Sequence, residues 1–222
     1  DIPMNVQSEE VDDILANSYI QRAYNKCQES VNSNLIKKSD IQLDQYINRL
    51  IDEITNSKRP LILIGGGCAS VLNRKVAQSI INFFKIPVVS SLMAVDVLPQ
   101  SHPLRVGFIG SYGNRWANKI LGKSDLLLVL GSRLDIRQTG SNIDSFVEGK
   151  RIWQIDVDSS EIGVRVKPHV ALNCSISIFS ESLFASCKQQ PCEKSEWLSE
   201  IDSARKLYPA VKEYCCQPNE IN

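Results

Sequence analysis

A short apolar run that ends directly in three glycines constrains the fold of this chain more than any other feature. Residues 60–64 read Pro-Leu-Ile-Leu-Ile, and Gly65, Gly66 and Gly67 follow. The run is too short for a helix, and a buried parallel strand ending in glycines brings bare backbone N–H groups to the carboxyl edge of a sheet, where a phosphate can bind. The segment therefore predicts a nucleotide site or, as an open alternative, only a tight strand-to-helix turn.

The glycine spacing departs from the dinucleotide fingerprint. Ser70 stands where the third glycine is expected, and no acidic residue closes the next apolar run, residues 87–90. The missing acidic residue is the one that binds the ribose in that motif. NAD(P) is therefore disfavoured.

Composition narrows the function classes. The 222 residues carry zero formal net charge, which is unlike the basic footprint of a nucleic-acid binder. No apolar stretch is long enough to span a membrane, and the first residues lack a signal-peptide pattern, so we expect a soluble cytoplasmic protein. The seven cysteines form no CxxC pair and only two histidines accompany them, so we expect reduced thiols and no metal site.

Apolar runs alternate with helical periodicity along the middle of the chain. Helices are predicted at about 40–54, 70–84 and 114–121, and strands at 61–64, 88–90, 106–109, 125–131, 151–155 and 170–173. This alternation predicts an α/β fold with a doubly wound, mostly parallel six-stranded sheet and helices on both faces.

Ligands of such sheets bind beyond the carboxyl ends of the strands, so the residues after each strand are the site candidates. Arg133 and Arg137 could clamp a pyrophosphate, and Asp135 or Asp156 could accept hydrogen bonds from ribose hydroxyls. The alternative is an Arg–Asp cluster that satisfies itself at the sheet edge. Asp158 begins a capping-box spacing for a short helix, which makes Asp156 the better ribose candidate.

No catalytic motif is found. The chain has no GxSxG elbow, HExxH or P-loop. His102 and His169 stand beside prolines, positions more typical of solvated or backbone-bonding histidines than of general bases. Trp116 and Trp153 are interpreted as packing residues.

Read in order, the segments after the strands resemble the central domain of thiamine diphosphate-dependent enzymes, most closely that of the acetolactate synthase (acetohydroxyacid synthase) large subunit. The resemblance covers about residues 40–171. Residues 1–7 also resemble the last strand of the domain that precedes it in this family, and the tail beyond Trp197 resembles the linker to the domain that follows. It is carried by Arg59-Pro60 with the glycines, 86–89 with Leu92-Met93, 101–104, 124–128, Gly131, Arg133, Asp135, Arg137, Thr139-Gly140, 155–158, 161–163 and 167–169.

The resemblance implies a Rossmann-like sheet of the DHS-like NAD/FAD-binding type and places catalysis elsewhere. The parent enzyme would use thiamine diphosphate and magnesium, held by a pyrimidine-binding and a pyrophosphate-binding domain that flank this one. The central domain would bind FAD in a structural role, with ADP or an empty site as alternatives. A homodimer or homotetramer is implied for the parent, and no activity for this chain alone.

The same resemblance implies a set of cofactor-binding residues. They are Gly65, Gly66, Gly67, Leu92, Met93, Ser111, Tyr112, Gly113, Gly131, Ser132, Arg133, Asp135, Arg137, Asp156, Val157 and Asp158. Arg137 would also approach the substrate pocket, and no residue of the chain is expected to be catalytic or to bind a metal. Ile136 replaces an aspartate that is usual in the synthases, and Ser111-Tyr112 replaces their usual Met-His pair, so the parent could act on another 2-keto acid or on an aldehyde.

Composition and resemblance together predict three segments. Residues 1–38 would end the preceding pyrimidine-binding domain, residues 39–189 would form the central domain, and residues 190–222 would lead towards the pyrophosphate-binding domain. The chain lacks an initiator Met, which suggests a fragment of a longer polypeptide.

Two rival functions share this sheet type. One is an electron-transfer flavoprotein-like FAD module, and the other is a sirtuin-like NAD-dependent deacylase. The deacylase predicts paired CxxC zinc ligands, which the cysteine spacings here contradict.

Overall fold

The structure is a computed structural model that describes residues 40–186 and 194–208. The predicted segment 1–38 lies outside the described residues, and so do parts of the predicted segment 190–222. The division into three segments stays a prediction.

The described residues form thirteen helices and strands, joined in places by short 3-10 turns. In chain order they are α1 (Asp40–Asn56), β1 (Pro60–Ile64), α2 (Val71–Phe84), β2 (Val88–Ser90), β3 (Arg105–Phe108), α3 (Arg115–Lys123), β4 (Leu126–Leu130), α4 (Ile136–Thr139), α5 (Ile143–Val147), β5 (Arg151–Asp156), β6 (Val170–Asn173), α6 (Ile176–Ser186) and α7 (Ser195–Leu207).

The six strands form one sheet in the order β3-β2-β1-β4-β5-β6. Every neighbouring pair is parallel, which confirms the predicted fold class. The order of the strands reverses between β1 and β4, and this switch point is where open α/β sheets bind their ligands.

Both faces of the sheet are covered by helices. Along β4, Leu126, Leu128 and Leu130 pack into one core cluster with residues of α1, α2 and α6, while Leu127 and Val129 pack into a second cluster with residues of α3, α5 and α7. Successive side chains of a strand point to opposite faces. A strand between two layers of helices is therefore apolar along its whole length, as β1 and β4 are.

One partly buried carboxylate ties α1 to the sheet. Glu53 accepts hydrogen bonds from Trp153 Nε1 at 2.6 Å, Arg151 Nε at 2.6 Å and Arg49 Nε at 2.9 Å. Burial raises the pKa of Glu53, but these hydrogen bonds outweigh it and lower the pKa below its ordinary value. Trp153 itself is fully buried, as its interpretation as a packing residue requires.

Helix α7 packs on the second face of the sheet although it lies in the predicted linker segment. Trp197 and Ile201 are each 2% exposed, and Trp197 Nε1 donates to Pro60 O at 3.1 Å. Glu200 accepts from Arg59 Nε at 2.9 Å and from Lys123 Nζ at 2.6 Å. Residues 195–207 are thus built into the same compact unit as the sheet.

None of the described helices is both long and apolar enough to cross a membrane.

A methyl group at Gly65 tests how closely the loops after β1 and β4 are packed. Its backbone is extended (φ −107°), so alanine would cause no backbone strain, but a Cβ atom would lie 2.2 Å from Gly131 O. We expect Gly65→Ala to lower the free energy of unfolding by at least about 2 kcal/mol, the scale of overpacking in a rigid core. Denaturant unfolding followed by circular dichroism measures the change.

Gly122→Ala is the matched control, because a Cβ atom there would meet no atom within 4 Å and the residue lies in α3. It should leave stability unchanged or raise it by up to about 1 kcal/mol. Equal losses in the two variants would contradict the close packing of the loops.

Candidate functional site

The loops after β1 and β4 contact each other, backbone against backbone, at the switch point. Gly67 N donates to Gly131 O at 3.0 Å, and Gly65 N donates to Leu130 O at 2.9 Å. Gly131 has φ +58°, and a Cβ atom on it would lie 2.9 Å from Gly67 Cα. The glycines at 65, 67 and 131 are therefore required by the packing of the two loops, whatever the loops bind.

Gly66 does not take part in this close contact. A Cβ atom on Gly66 would have one neighbour within 4 Å, Met93 Cβ at 3.3 Å. Both Gly66 and Gly67 are exposed. Asn73 Nδ2 donates to Gly67 O at 2.8 Å, and Ser70 Oγ caps α2 by accepting from Asn73 N at 3.3 Å. The first turn of α2 thus holds the loop in place and leaves its backbone open at the surface.

The loop after β4 uses Asp135 locally. Asp135 Oδ1 caps α4 by accepting from Arg137 N at 3.0 Å and from Gln138 N at 3.2 Å. Arg133 lies 3.7 Å from Asp135 and 3.9 Å from Glu161, and its side chain is 61% exposed. These two ion pairs are long enough to leave the guanidinium N–H groups available to a ligand.

Asp156 ends β5 at the same edge of the sheet and is half-buried. Burial raises its pKa above the ordinary value, the Asp158 and Glu161 carboxylates raise it further, and the hydrogen bond from Asp158 N at 3.0 Å opposes the rise. No ion pair to Asp156 is found among residues 40–186 and 194–208. Its second carboxylate oxygen is suited to accept from a hydroxyl group.

The prediction of a short helix that begins at Asp158 is wrong. Asp158 Oδ1 accepts from Ser160 N at 2.9 Å and from Ser160 Oγ at 2.6 Å, and the described chain continues in turns up to residue 163. These short-range bonds satisfy the carboxylate inside a turn, which competes with the helix. They lower the pKa of Asp158. They also occupy its side chain, which agrees with the expectation that Asp156 is the more available carboxylate.

The loop after β3 reaches the loop after β4 across the sheet edge. Ser111 N donates to Arg137 O at 2.8 Å, and a Cβ atom on Gly110 would lie 2.4 Å from that same oxygen. Gly113 N donates to Gly110 O at 2.9 Å, which closes the turn before α3. Ser111 and Arg137 are therefore brought together although β3 and β4 are not neighbours in the sheet.

Exposed apolar side chains surround this edge. Most of the large apolar side chains that are exposed in the described part of the chain belong to its loops and to the first turns of α2 and α4. They are Val71, Leu72, Leu92, Met93, Tyr112, Ile136, Val157 and Val164. An apolar patch of this kind marks a ligand-binding or interaction surface.

Two orphan hydroxyl groups lie at the end of β2. The Oγ atoms of Ser90 and Ser91 are buried and have no hydrogen-bond partner in the described structure. Both side chains are almost fully buried, so neither hydroxyl is accessible from the surface of the edge.

Sequence reasoning missed Gln154, which connects the loops after β4 and β5. It is 1% exposed, its Nε2 donates to Ser132 O at 3.1 Å and Glu161 O at 3.3 Å, and its Oε1 accepts from Gly163 N at 3.2 Å. A lone amide in an otherwise apolar strand was the available signal. Arg165, also missed, holds the end of α4 by donating to Thr139 Oγ1 at 2.9 Å and Gly140 O at 2.7 Å.

The histidines and Cys68 are bonded as structural residues. His102 Nδ1 accepts from Leu104 N at 3.3 Å and His169 Nδ1 from Ile152 N at 3.1 Å, which confirms the backbone-bonding interpretation. Burial raises the pKa of the Cys68 thiol to about 12, so Cys68 stays protonated. Among the described residues, no group of three or more His, Cys, Asp or Glu side chains could hold a metal ion.

Comparison with known proteins decides the family. The family model described as "Thiamine pyrophosphate enzyme, central domain" matches residues 47–183. The chain belongs to this family. The match includes β1 to β6 and every loop of the carboxyl edge, so the resemblance predicted from the sequence is confirmed.

The relatives of this central domain are acetolactate synthases. The chain is 31% identical over 181 residues to acetolactate synthase 1, chloroplastic, of Zea mays, which covers 80% of the chain and 27% of the relative. It is 32% identical over 165 residues to the acetolactate synthase isozyme 1 large subunit of Escherichia coli, covering 74% and 28%. The chain thus spans little more than a quarter of the length of these relatives.

The pKa values of Asp156 and Asp158 are shifted in opposite directions, so the pH dependence of folding stability tests both environments. Burial raises the folded-state pKa of Asp156 above its unfolded value, so ionisation of Asp156 weakens the folded state as pH rises through that range. The Asp156→Asn variant keeps an acceptor for Asp158 N, and we expect it to be more stable than the unsubstituted chain at about pH 7. The difference should disappear towards about pH 3, where the carboxyl group is protonated in both the folded and the unfolded state. Thermal unfolding at several pH values measures this.

Asp158→Asn is the comparison variant with the opposite sign. The folded-state pKa of Asp158 is lowered, so its stabilising effect is present above the unfolded pKa and is lost as pH falls through the folded pKa. The variant should therefore be less stable than the parent near neutral pH. A loss of neutral-pH stability in Asp156→Asn would contradict the unfavourable burial of that carboxylate.

Proposed function

We propose that the carboxyl-edge loops bind a nucleotide diphosphate group, in the form of FAD, within a thiamine diphosphate-dependent enzyme that resembles acetolactate synthase and acts as a 2-keto acid carboligase or decarboxylase. The observation that carries the proposal is the meeting of the glycine loops after β1 and β4 at the switch point, with the exposed Arg133 beside them. ADP, or an empty site, is the alternative for the same loops.

The residues present suit a phosphate group. The backbone of Gly66 is exposed and can approach a pyrophosphate closely, while Gly67 N is already bonded to Gly131 O at 3.0 Å. The Arg133 guanidinium can donate to phosphate oxygens in pairs, since its own carboxylate partners lie at 3.7 and 3.9 Å. Leu92, Met93 and Val157 supply exposed apolar surface for a flat ring.

Asp156 suits the hydroxyl groups of the same ligand. It is half-buried, carries no ion pair in the described structure and receives one backbone hydrogen bond, so an oxygen is left for a ribose or ribityl hydroxyl. Asp135 and Asp158 are occupied by local hydrogen bonds and contribute negative charge only.

The bound nucleotide would act as a structural element and would take no part in electron transfer. In the parent enzyme, thiamine diphosphate and magnesium would be held by the two flanking domains of the same polypeptide, and the exposed apolar patch would face them. The parent would be a cytoplasmic homodimer or homotetramer of the transferase or lyase class. The name of the Zea mays relative places that protein in the chloroplast. The cellular location of the parent enzyme is therefore to be tested by cell fractionation.

Absorption spectroscopy separates the ligand alternatives. A purified chain that binds FAD shows a flavin band in visible light and loses it when the protein is denatured and filtered. Tight binding of ADP without flavin supports the alternative nucleotide. Failure to bind either compound overturns the nucleotide site.

The Arg133 guanidinium gives a quantitative prediction. Arg133→Ala should weaken nucleotide affinity by about 1.5 to 3 kcal/mol, the range for a charge-assisted hydrogen bond, and leave the melting temperature nearly unchanged, because the side chain is 61% exposed. Titration calorimetry and thermal unfolding measure the two effects. Lys75→Ala, which removes an exposed cation from α2, is the control and should change neither. A lower melting temperature with unchanged affinity would show a self-satisfied Arg–Asp cluster instead.

The isolated chain should neither bind thiamine diphosphate tightly nor consume pyruvate. The activating carboxylate and the metal-diphosphate ligands are expected in the flanking domains, and catalysis needs both held in place. A coupled assay of pyruvate consumption with added thiamine diphosphate and magnesium measures this. Turnover above the blank would refute the assignment of catalysis to the other domains.

A further inference from the structure

A cavity next to the carboxyl-edge loops differs in chemical character from the proposed nucleotide site. It has a volume of about 480 Å³ and lies between α3, α4 and α5, with an apolar floor formed by Leu121 and Phe146. Two of its lining residues, Ser111 and Arg137, belong to the predicted cofactor-binding set. Its volume is in the range of sites for small molecules.

The described residues that line this cavity include two cations and no carboxylate. Lys150 is 5% exposed, and its Nζ makes one long hydrogen bond, to Glu148 O at 3.3 Å. No ion pair to Lys150 or to the Arg137 guanidinium is found among the described residues. A buried cation is unfavourable unless an anion or several hydrogen bonds compensate it.

The environment of Lys150 has the physical signs of a missing anion. Burial lowers the pKa of Lys150, and the nearby Glu148 carboxylate only partly opposes this. Its ammonium lies 5.8 Å from the centre of the Phe146 ring, so part of its surroundings is an aromatic face. Neutral donors and acceptors, among them Asn118 and Ser145, complete the lining.

We propose that this cavity is a second binding site, for a small carboxylate with a short apolar body. The carboxylate would lie between Lys150 and Arg137, where a guanidinium can bind it with two parallel hydrogen bonds, and the apolar body would lie on Leu121 and Phe146. Lys150, Leu121 and Phe146 are not among the predicted cofactor-binding residues, and Arg137 is the cation that the two sites share.

Gly122 offers a way to fill the cavity without harming the fold. It lines the cavity, lies in α3, and a Cβ atom on it would meet no atom within 4 Å. Replacing a helical glycine by leucine favours the helix and adds four carbon atoms beside the floor. Gly122→Leu should therefore block the ligand while the melting temperature stays the same or rises.

The test is a titration of the 222-residue chain with 3-methylbutanoate, in which binding is monitored by amide chemical shifts in two-dimensional NMR spectra. We expect saturable shifts at Asn118, Ser141 and Lys150, and binding at least about tenfold weaker in Lys150→Met and in Gly122→Leu. Lys75→Met, which removes an exposed lysine, should bind like the parent. The uncharged 3-methylbutan-1-ol should bind at least about tenfold more weakly than the acid.

Three results would overturn the inference. They are shifts that do not saturate, unchanged binding in a folded Gly122→Leu chain, and inorganic phosphate binding more tightly than the carboxylate. If Lys150→Met does not fold, Gly122→Leu decides alone. Nucleotide affinity measured on the same samples keeps the two sites apart, because Gly122→Leu should leave it unchanged.

Discussion

The contact between the loops after β1 and β4 is the constraint on which the rest of the carboxyl edge depends. Gly67 N bonds to Gly131 O at 3.0 Å, and neither Gly65 nor Gly131 has room for a Cβ atom. This contact brings two strand ends together at the point where the strand order reverses. Because the backbones touch, the peptide groups of Gly66 and Gly67 are left at the surface, and the start of α2 and the loop that holds Arg133 are set beside them.

Buried polar side chains then hold the outer loops to this centre. Gln154 joins the loops after β4 and β5 with three hydrogen bonds from inside the sheet, and Arg165 holds the end of α4. Asp135 is consumed as a helix cap. The loops therefore use most of their polar groups in their own structure, and Arg133, Arg137 and Asp156 are charged groups of this edge that keep donors or acceptors for a ligand.

Charge is distributed unevenly around the edge. The β5 side carries Asp156, Asp158 and Glu161, with Arg133 as the facing cation, and the side between α3 and α5 carries Arg137 and Lys150 without a carboxylate in the cavity lining that the structure describes. A nucleotide, with phosphates and hydroxyl groups, suits the first side, where an arginine and carboxylates are mixed. A simple anion suits the second, where the buried ammonium has no ion pair among the described residues and Glu148 compensates its charge only in part.

The six-stranded sheet, the helices of the middle of the chain and the family are predictable from the amino-acid sequence, because they follow from short-range patterns and motifs. Short continuous apolar runs such as residues 126–130 favour strands buried on both faces, and the alternation with helices indicates parallel strands. The predicted set of edge residues followed from the same rule, and each lies in a loop at the carboxyl edge or at the end of a strand.

Which of these residues remain available for a ligand becomes clear in the folded structure. Asp135 and Asp158 each accept two local hydrogen bonds, whereas Asp156 accepts one, from Asp158 N, although all three are the same residue type in similar loops. No short-range sequence pattern predicts that Gln154 bonds to two loops or that Ser111 N bonds to Arg137 O. Such contacts join residues distant in sequence, and their geometry is set by how strands and helices pack, which no short-range pattern records.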